Sequence, residues 1–499
     1  MKLKNKRSIL NVICVLFLFV ILVPVIISII QSGYYYTYDR DEITHIQKIY
    51  LMATGVNPYV SFYSSFTPVF HAVFIPLFLQ FGFSFQTIDI ARIVMIILFA
   101  MRIGFFSLAI AKIFNKRIAV LFIPLYLFDP FTIFVSMQIR PDNLMITIFS
   151  LGFLLFIFGL FKSSKILLFL SGSLFSISAL ILFKMVPAIV IVVAVFFIYS
   201  LKKNKLAEFW IFLSGFILSC GFFLVYFILA GSFIPMFQQV FVLSPLFASS
   251  AKYITTFGFF NQPNNAYIYG LMGRPFIWAY VWVLPLLAAA GAYSAIIKLQ
   301  KDSETKKYLR LTLVLLAIFQ YVALLVINQI FIQYYIPLQW LLAMFAAVLI
   351  EEIGWAMLSG LYRLAFFIGL FIFFLKLSSS SIETNKARAT FNSSSNDFVS
   401  KTQKLWSLIP ERSASFPNIL FRPLGYPLEF GYEEYRVPFP PQIKALMPEY
   451  AQTFEKNKVH FLRVEDAQQF FSIEDGLQEY VEKHYKLIDP GLGLWQREE

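Results

Sequence analysis

The residues whose types and spacing best suit chemistry begin at Tyr38, in the stretch YDRDEITHIQKIYLMATGVNP that ends at Pro58. A helix starting near Asp41 puts His45 at i+4 from Asp41 and i+3 from Glu42, so two carboxylates and an imidazole share one face. A carboxylate backed by an imidazole is the equipment of a general base. The same residues also fit an N-cap and an amphipathic helix lying on a membrane surface. A second acid, Asp142, follows Arg140 and Pro141 at the end of an apolar run. It fits either a turn with an N-terminal cap or a second carboxylate sharing a cavity with Asp41. Arg140 would then be available to a phosphate, because its planar fork donates in pairs. Lys184 interrupts the apolar run LILFKMVPAIV, where it either snorkels to the interface or captures a lipid phosphate.

These side chains need long apolar elements to position them. Of the 499 residues 59% are hydrophobic and 60 are Phe, and the mean hydropathy is +0.72, which together specify a polytopic α-helical membrane protein. The net charge of +13 would point to nucleic acid in a soluble chain. Here the basic residues cluster in short loops between apolar spans and act as topology determinants, so no nucleic-acid partner is expected. Cys14 and Cys220 lie inside apolar runs and imply neither a disulfide framework nor a thiolate metal site. The leading MKLKNKR reads as a retained signal anchor with a cytoplasmic N-terminus.

Spans are expected near 8–30, 93–113, 118–137, 143–161, 166–183, 186–201, 206–230, 276–297, 311–330, 336–353 and 360–377, about eleven in all. The apolar piece at 67–83 is short, holds Pro68, His71 and Pro76, and would reverse every later loop if counted as a span. It reads as an interfacial or re-entrant helix in the first outer loop. The chain then organises as a membrane domain over 1–377, a polar linker over 378–399, and a small α/β domain over 400–499 outside the cytoplasm. In that last domain 456–464, 485–488 and 493–496 read as strands and 474–484 as a helix.

Arg102 and Asp129 fall deep inside consecutive spans, where charges are costly unless paired, and are expected to form a structural ion pair. The loop 231–275 interleaves Gln238, Gln239, Asn261, Gln262, Asn264 and Asn265 with aromatics, a pattern suited to sugars and equally to an exposed interfacial loop. Tyr334 and Tyr335, beside Gln333, fit an outer cavity lining or an aromatic belt. No Walker A loop, GxGxxG, HExxH or CxxC occurs. A soluble nucleotide donor would also lie on the wrong side of this topology, whereas a donor carried across on lipid could reach the acids.

A first outer loop opening with DE, followed by Gly55 to Tyr59, the Arg140-Pro141-Asp142 turn, Lys184 and the segment Gln333 to Pro337, resembles in order the C-type membrane glycosyltransferases that use polyprenyl-phosphate sugars. These include the protein mannosyltransferases and the lipid A aminoarabinose transferases. The resemblance covers roughly residues 1–377. It implies that Asp41 is the catalytic or acceptor-orienting carboxylate and that Asp142 assists; Glu42 or His45 would then orient Asp41 or modulate its pKa. Arg140 and Lys184 would receive the donor phosphate, and Tyr334 and Tyr335 would line the substrate cavity. It admits a divalent metal between the acids and calls for no other cofactor. The expected partners are a polyprenyl- or dolichyl-phosphate-linked monosaccharide, a lipid, glycan or protein acceptor, and membrane lipids. Inversion at the anomeric carbon and a bacterial inner-membrane location complete the expectation. The segment Phe62 to Pro68 lacks the acid and lysine found there in the aminoarabinose enzymes, and the tail does not resemble the trefoil insert of the protein mannosyltransferases. The competing class is a lipid or solute transporter or flippase with an outer sensing domain, whose working charges would be Arg102 and Asp129 near the midplane.

Overall fold

Apolar runs fold as helices in a bilayer because each backbone N–H and C=O is then satisfied within its own segment. The computed structural model describes residues 20–35, 38, 40–244, 275–326, 332–390, 393–417, 419–425, 449–464, 466–472 and 474–498. In chain order its helices are α1 (Val20–Tyr35), α2 (Arg40–Ala53), α3 (Val69–Phe81), α4 (Phe85–Ile113), α5 (Lys116–Leu127), α6 (Pro130–Ser136), α7 (Pro141–Lys162), α8 (Lys165–Ile181), α9 (Val186–Lys202) and α10 (Leu206–Leu229). There follow α11 (Phe233–Phe237), α12 (Pro275–Ile297), α13 (Glu304–Val326), α14 (Ile336–Glu351), α15 (Gly360–Thr390), α16 (Ser393–Leu408), α17 (Tyr450–Lys456), α18 (Ala467–Phe471) and α19 (Leu477–His484).

Among the described residues eight helices are long and apolar enough to cross a membrane, namely α4, α7, α9, α10, α12, α13, α14 and α15. The chain is an integral membrane protein on this ground. The expected span over 118–137 is two helices, α5 and α6, bent by 72° at their junction. The cause is local: Pro130 cannot continue α5, and the Asp129 carboxylate accepts from the Thr132 N–H and caps a new helix with Pro130 at its first position. Of the other two expected spans, 166–183 is the shorter apolar helix α8, and 8–30 is described only from Val20. Among the described residues eleven full-length spans are therefore not confirmed. The piece at 67–83 forms α3, whose 13 residues rise about 20 Å, short of a hydrocarbon core of about 30 Å.

The chain divides into two compact units. One comprises 1–36, 92–220 and 254–391. Its centre is α14, buried along almost its whole length, with Trp340 stacked on Phe106 at a centroid distance of 4.1 Å. The stretch expected as a polar linker is helical instead, first as the end of α15 and then as α16. Within this unit its polar residues find partners on α1: Ser378 Oγ donates to the Ile21 carbonyl and Asn385 Nδ2 to Ser28 Oγ.

The other unit comprises 37–91, 221–253 and 392–499. Its C-terminal part holds a four-stranded sheet in the order β1-β2-β4-β3, from β1 (Ser415–Phe416), β2 (Phe461–Arg463), β3 (Tyr485–Asp489) and β4 (Leu494–Arg497). β1 runs parallel to β2, and the other pairings are antiparallel. Phe416, Phe454, Leu462, Phe470, Leu477 and Val481 fill the core between sheet and helices. The expected α/β character, and the expected positions of β3, β4 and α19, are met. β2 is shorter than expected because the chain leaves α17 through a turn, with Lys458 at φ +47° and Val459 N–H bonded to the Phe454 carbonyl, before pairing begins at Phe461.

Candidate functional site

In the second unit the candidate residues stand on α2, whose first turn carries Asp41 and Glu42, where carboxylates are favoured by the helix dipole. α2 stops because Gly55 adopts φ +85° in a Schellman turn, with Val56 N–H bonded to the Leu51 carbonyl and Gly55 N–H to that of Met52. This accounts for the glycine of the Gly55–Tyr59 segment. Asp41 is exposed and Glu42 fully buried. His45, one turn on, is buried against Phe66 and Phe70. Its Nδ1 lies 3.1 Å from Nε2 of His71 on α3, so one ring donates and the other accepts. Burial, reinforced by the charge of Lys48, holds His71 well below the ordinary histidine range, which keeps it neutral.

Lys48 completes this face, seven residues after Asp41 and two helical turns along. It is buried, its Nζ stands 5.9 Å over the Phe66 ring, and burial lowers its pKa to about 8 although the Asp41 charge works the other way. Reading the sequence by motif passed over Lys48 and His71. Lys48 at i+3 from His45 was the available signal.

Of the amides that fit either sugar or an exposed interfacial loop, Gln238 is exposed and Gln239 is engaged with backbone. Gln239 is buried, donates to the Tyr59 carbonyl at 2.7 Å and accepts from the Ser64 N–H at 3.0 Å, tying down the loop after α2. Tyr59 itself sits at φ +67°, a left-handed conformation such bonds must hold. Asn261, Gln262, Asn264 and Asn265 lie outside the described residues.

In the first unit the Arg140-Pro141-Asp142 turn opens α7. Proline at the first helical position holds Arg140 extended, with φ −130° and ψ 145°. Asp142 Oδ1 accepts from Lys184 Nζ at 2.8 Å, and the same ammonium stands 4.1 Å over the Tyr334 ring. Asp142, Arg140 and Tyr335 are buried, and Lys184 and Tyr334 half-buried. The structure thus brings Asp142, Lys184 and Tyr334 into contact. Lys184 neither snorkels alone nor stands as an isolated cation, because Asp142 shares its charge.

The expected ion pair between Arg102 and Asp129 is replaced by other contacts. The Arg102 guanidinium donates to Ser136 Oγ at 2.6 Å and Asn143 Oδ1 at 3.3 Å and lies over the Phe99 and Tyr126 rings. Asp129 serves as the cap of α6. Among the described residues no group of three or more His, Cys, Asp or Glu side chains is arranged to hold a metal ion.

No protein-family model and no curated protein sequence matches the chain. Solved structures do match. ArnT from Cupriavidus metallidurans bound to undecaprenyl phosphate superposes with a TM-score of 0.58 at 14% identity, over 82% of this chain and 85% of ArnT. The same enzyme in the apo state gives 0.54 at 14%, over 93% and 94%. Archaeal oligosaccharyltransferase AglB from Archaeoglobus fulgidus, in complex with an inhibitory peptide and a dolichol-phosphate, gives 0.51 at 13%, over 96% and 74%. The resemblance drawn from the order of the DE, RPD and YYIP segments is met at the level of the fold, which this chain shares with ArnT and AglB.

Proposed function

We propose that this chain is a membrane glycosyltransferase that takes a monosaccharide from a polyprenyl- or dolichyl-phosphate donor and passes it to an extracytoplasmic acceptor with inversion. The observation that carries this reading is the fold shared, over most of the chain, with two transferases solved with a lipid phosphate bound. Asp41 is the base: it is exposed, as a group meeting an acceptor hydroxyl must be, whereas Glu42 is buried beneath it. The acceptor O–H proton passes to Asp41 and the oxygen attacks the anomeric carbon. The bond from that carbon to the phosphate oxygen breaks, and its electron pair leaves on the lipid phosphate. That leaving group is anionic from the start, so nearby cations lower the barrier. Arg140 and Lys184 are the candidates, with Asp142 setting the position of Lys184. Tyr334 and Tyr335 line the substrate side, and His45 supports α2 beneath the acid pair.

The proposed setting is a bacterial inner membrane, with a cytoplasmic N-terminus and the C-terminal domain on the opposite side. The transporter reading draws less support, because Arg102 is engaged by neutral oxygens and Asp129 by a helix end. The test is to offer protein in nanodiscs a panel of polyprenyl-phosphate monosaccharides and follow release of lipid phosphate and the anomer formed. Release that fails in Asp41 and Asp142 variants and persists in folded Arg102 variants supports the transferase. Donor crossing a vesicle bilayer without release, lost only with Arg102 and Asp129, would establish a transporter.

A further inference from the structure

We propose that the segment Ile419–Arg422 of the C-terminal part positions α2, with Gln47 the residue through which it acts; this rests on the reading of Asp41 as the base. Gln47 lies six residues after Asp41 and is buried. Its Nε2 donates to the Arg422 carbonyl at 2.7 Å, and its Oε1 accepts from the Phe421 N–H at 2.7 Å. A side-chain amide that trades two hydrogen bonds with one stretch of backbone fixes direction as well as distance.

The backbone it grips is itself held rigid. Arg422 Nε donates to the Ile409 carbonyl at 2.9 Å, and its two terminal nitrogens donate to the carbonyls of Phe421 and Trp406 at 3.0 and 3.1 Å. Trp406 Nε1 donates to the Leu420 carbonyl at 2.7 Å. Phe421 is kept at φ +59°, a conformation that bulky residues adopt only where the surroundings impose it. Its ring then sits 5.9 Å from Tyr50 on α2, and 5.5 Å from Phe83 beyond the end of α3. Tyr38, three residues before Asp41, meets Phe398 of α16 at 6.2 Å. The C-terminal part, through α16 and through Ile419–Arg422, therefore touches the chain on both sides of the acid pair.

Apolar burial alone would leave α2 free to turn slightly, since Ile46, Ile49 and Leu51 stay covered under small rotations. A side-chain tip roughly 6 Å from the helix axis moves about 1 Å in a rotation of about 10°. A displacement of that size costs on the order of a hundredfold in rate when the group must meet a reacting atom. The paired bonds to Gln47 resist that rotation.

The test compares Gln47→Met, which keeps the volume and loses both bonds, with Gln47→Glu, which keeps an acceptor for the Phe421 N–H. Full-length protein in nanodiscs is followed by amide hydrogen exchange and by steady-state transfer. In Gln47→Met, exchange over 43–53 should rise about tenfold while α7 exchanges as in wild type. The kcat should fall on the order of ten- to a hundredfold with donor KM within about twofold, and Gln47→Glu should lie between. Should Gln47→Met fail to fold, Trp406→Phe, which loses the bond to Leu420, should give a smaller change of the same pattern. Unchanged exchange over 43–53, or raised exchange with unchanged kcat, overturns the proposal. Wild-type turnover in Asp41→Asn would overturn the role of Asp41 separately, and the exchange data would still decide whether this segment holds α2.

Discussion

On α2 the acid pair is divided by environment: Asp41 is exposed, whereas Glu42, His45 and Lys48 are buried. Lys48 gives the most direct handle on that buried face. Burial lowers its pKa to about 8 from an ordinary 10.5, so the unfolded chain binds more protons between those two values. Stability therefore rises with pH through that window, and the penalty is complete below the lower value. The interval corresponds to about 3 kcal/mol. Lys48→Met should melt above wild type at neutral pH and lose the rise at alkaline pH, as measured by thermal denaturation across a pH series; parallel curves for the two proteins contradict this. In the other unit, Asp142→Asn and Lys184→Met each strand a largely buried charge or dipole. Their losses should be non-additive, with a coupling of about 1–3 kcal/mol in a double-mutant cycle, and additive losses would dissolve the pair. Asp41, His45, Asp142 and Lys184 were legible as candidates because type and helical spacing are local properties. Which acid faces out was not, because the rotation of a short helix about its axis is set by what packs against it.

Among the helices, α8 and α10 cross closely enough to require glycine. Within the first unit Gly172 faces the backbone carbonyl of Phe212 while Gly215 faces that of Phe169, and a Cβ at either would collide with the other helix. Small residues let backbones approach where lipid offers no hydrophobic drive between helices. Gly172→Ala should force the crossing apart at a cost of about 1–3 kcal/mol, read as a lowered melting temperature in detergent; an unshifted transition would mean the helices part freely. The spans themselves were legible from apolar run length. The break between α5 and α6 was overlooked although Asp129-Pro130 marks it, because a hydropathy window averages over a cap. The end of α15 was read as linker because its serines and asparagine look solvated in sequence, and only the partners on α1 show otherwise. In the C-terminal part, alternating apolar residues announced the later strands, while β1, two residues long, has no pattern to read.

For the molecule as a whole, the order of short segments points to the fold that the chain shares with ArnT and AglB over most of its length. Order was informative because the fold fixes which loops share a side of the membrane, and that constraint outlasts sequence identity. Which sugar and acceptor fit depends on the shape of a site, which the order of segments does not encode. The measurement that bears most directly on the proposed activity is transfer of radiolabelled sugar from a polyprenyl-phosphate donor by wild type and Asp41→Asn at matched levels of folded protein. Removing the base should lower transfer by about a hundredfold or more while the variant still binds polyprenyl phosphate. Equal transfer by the two proteins would contradict the assignment of Asp41, and with it the mechanism built on α2.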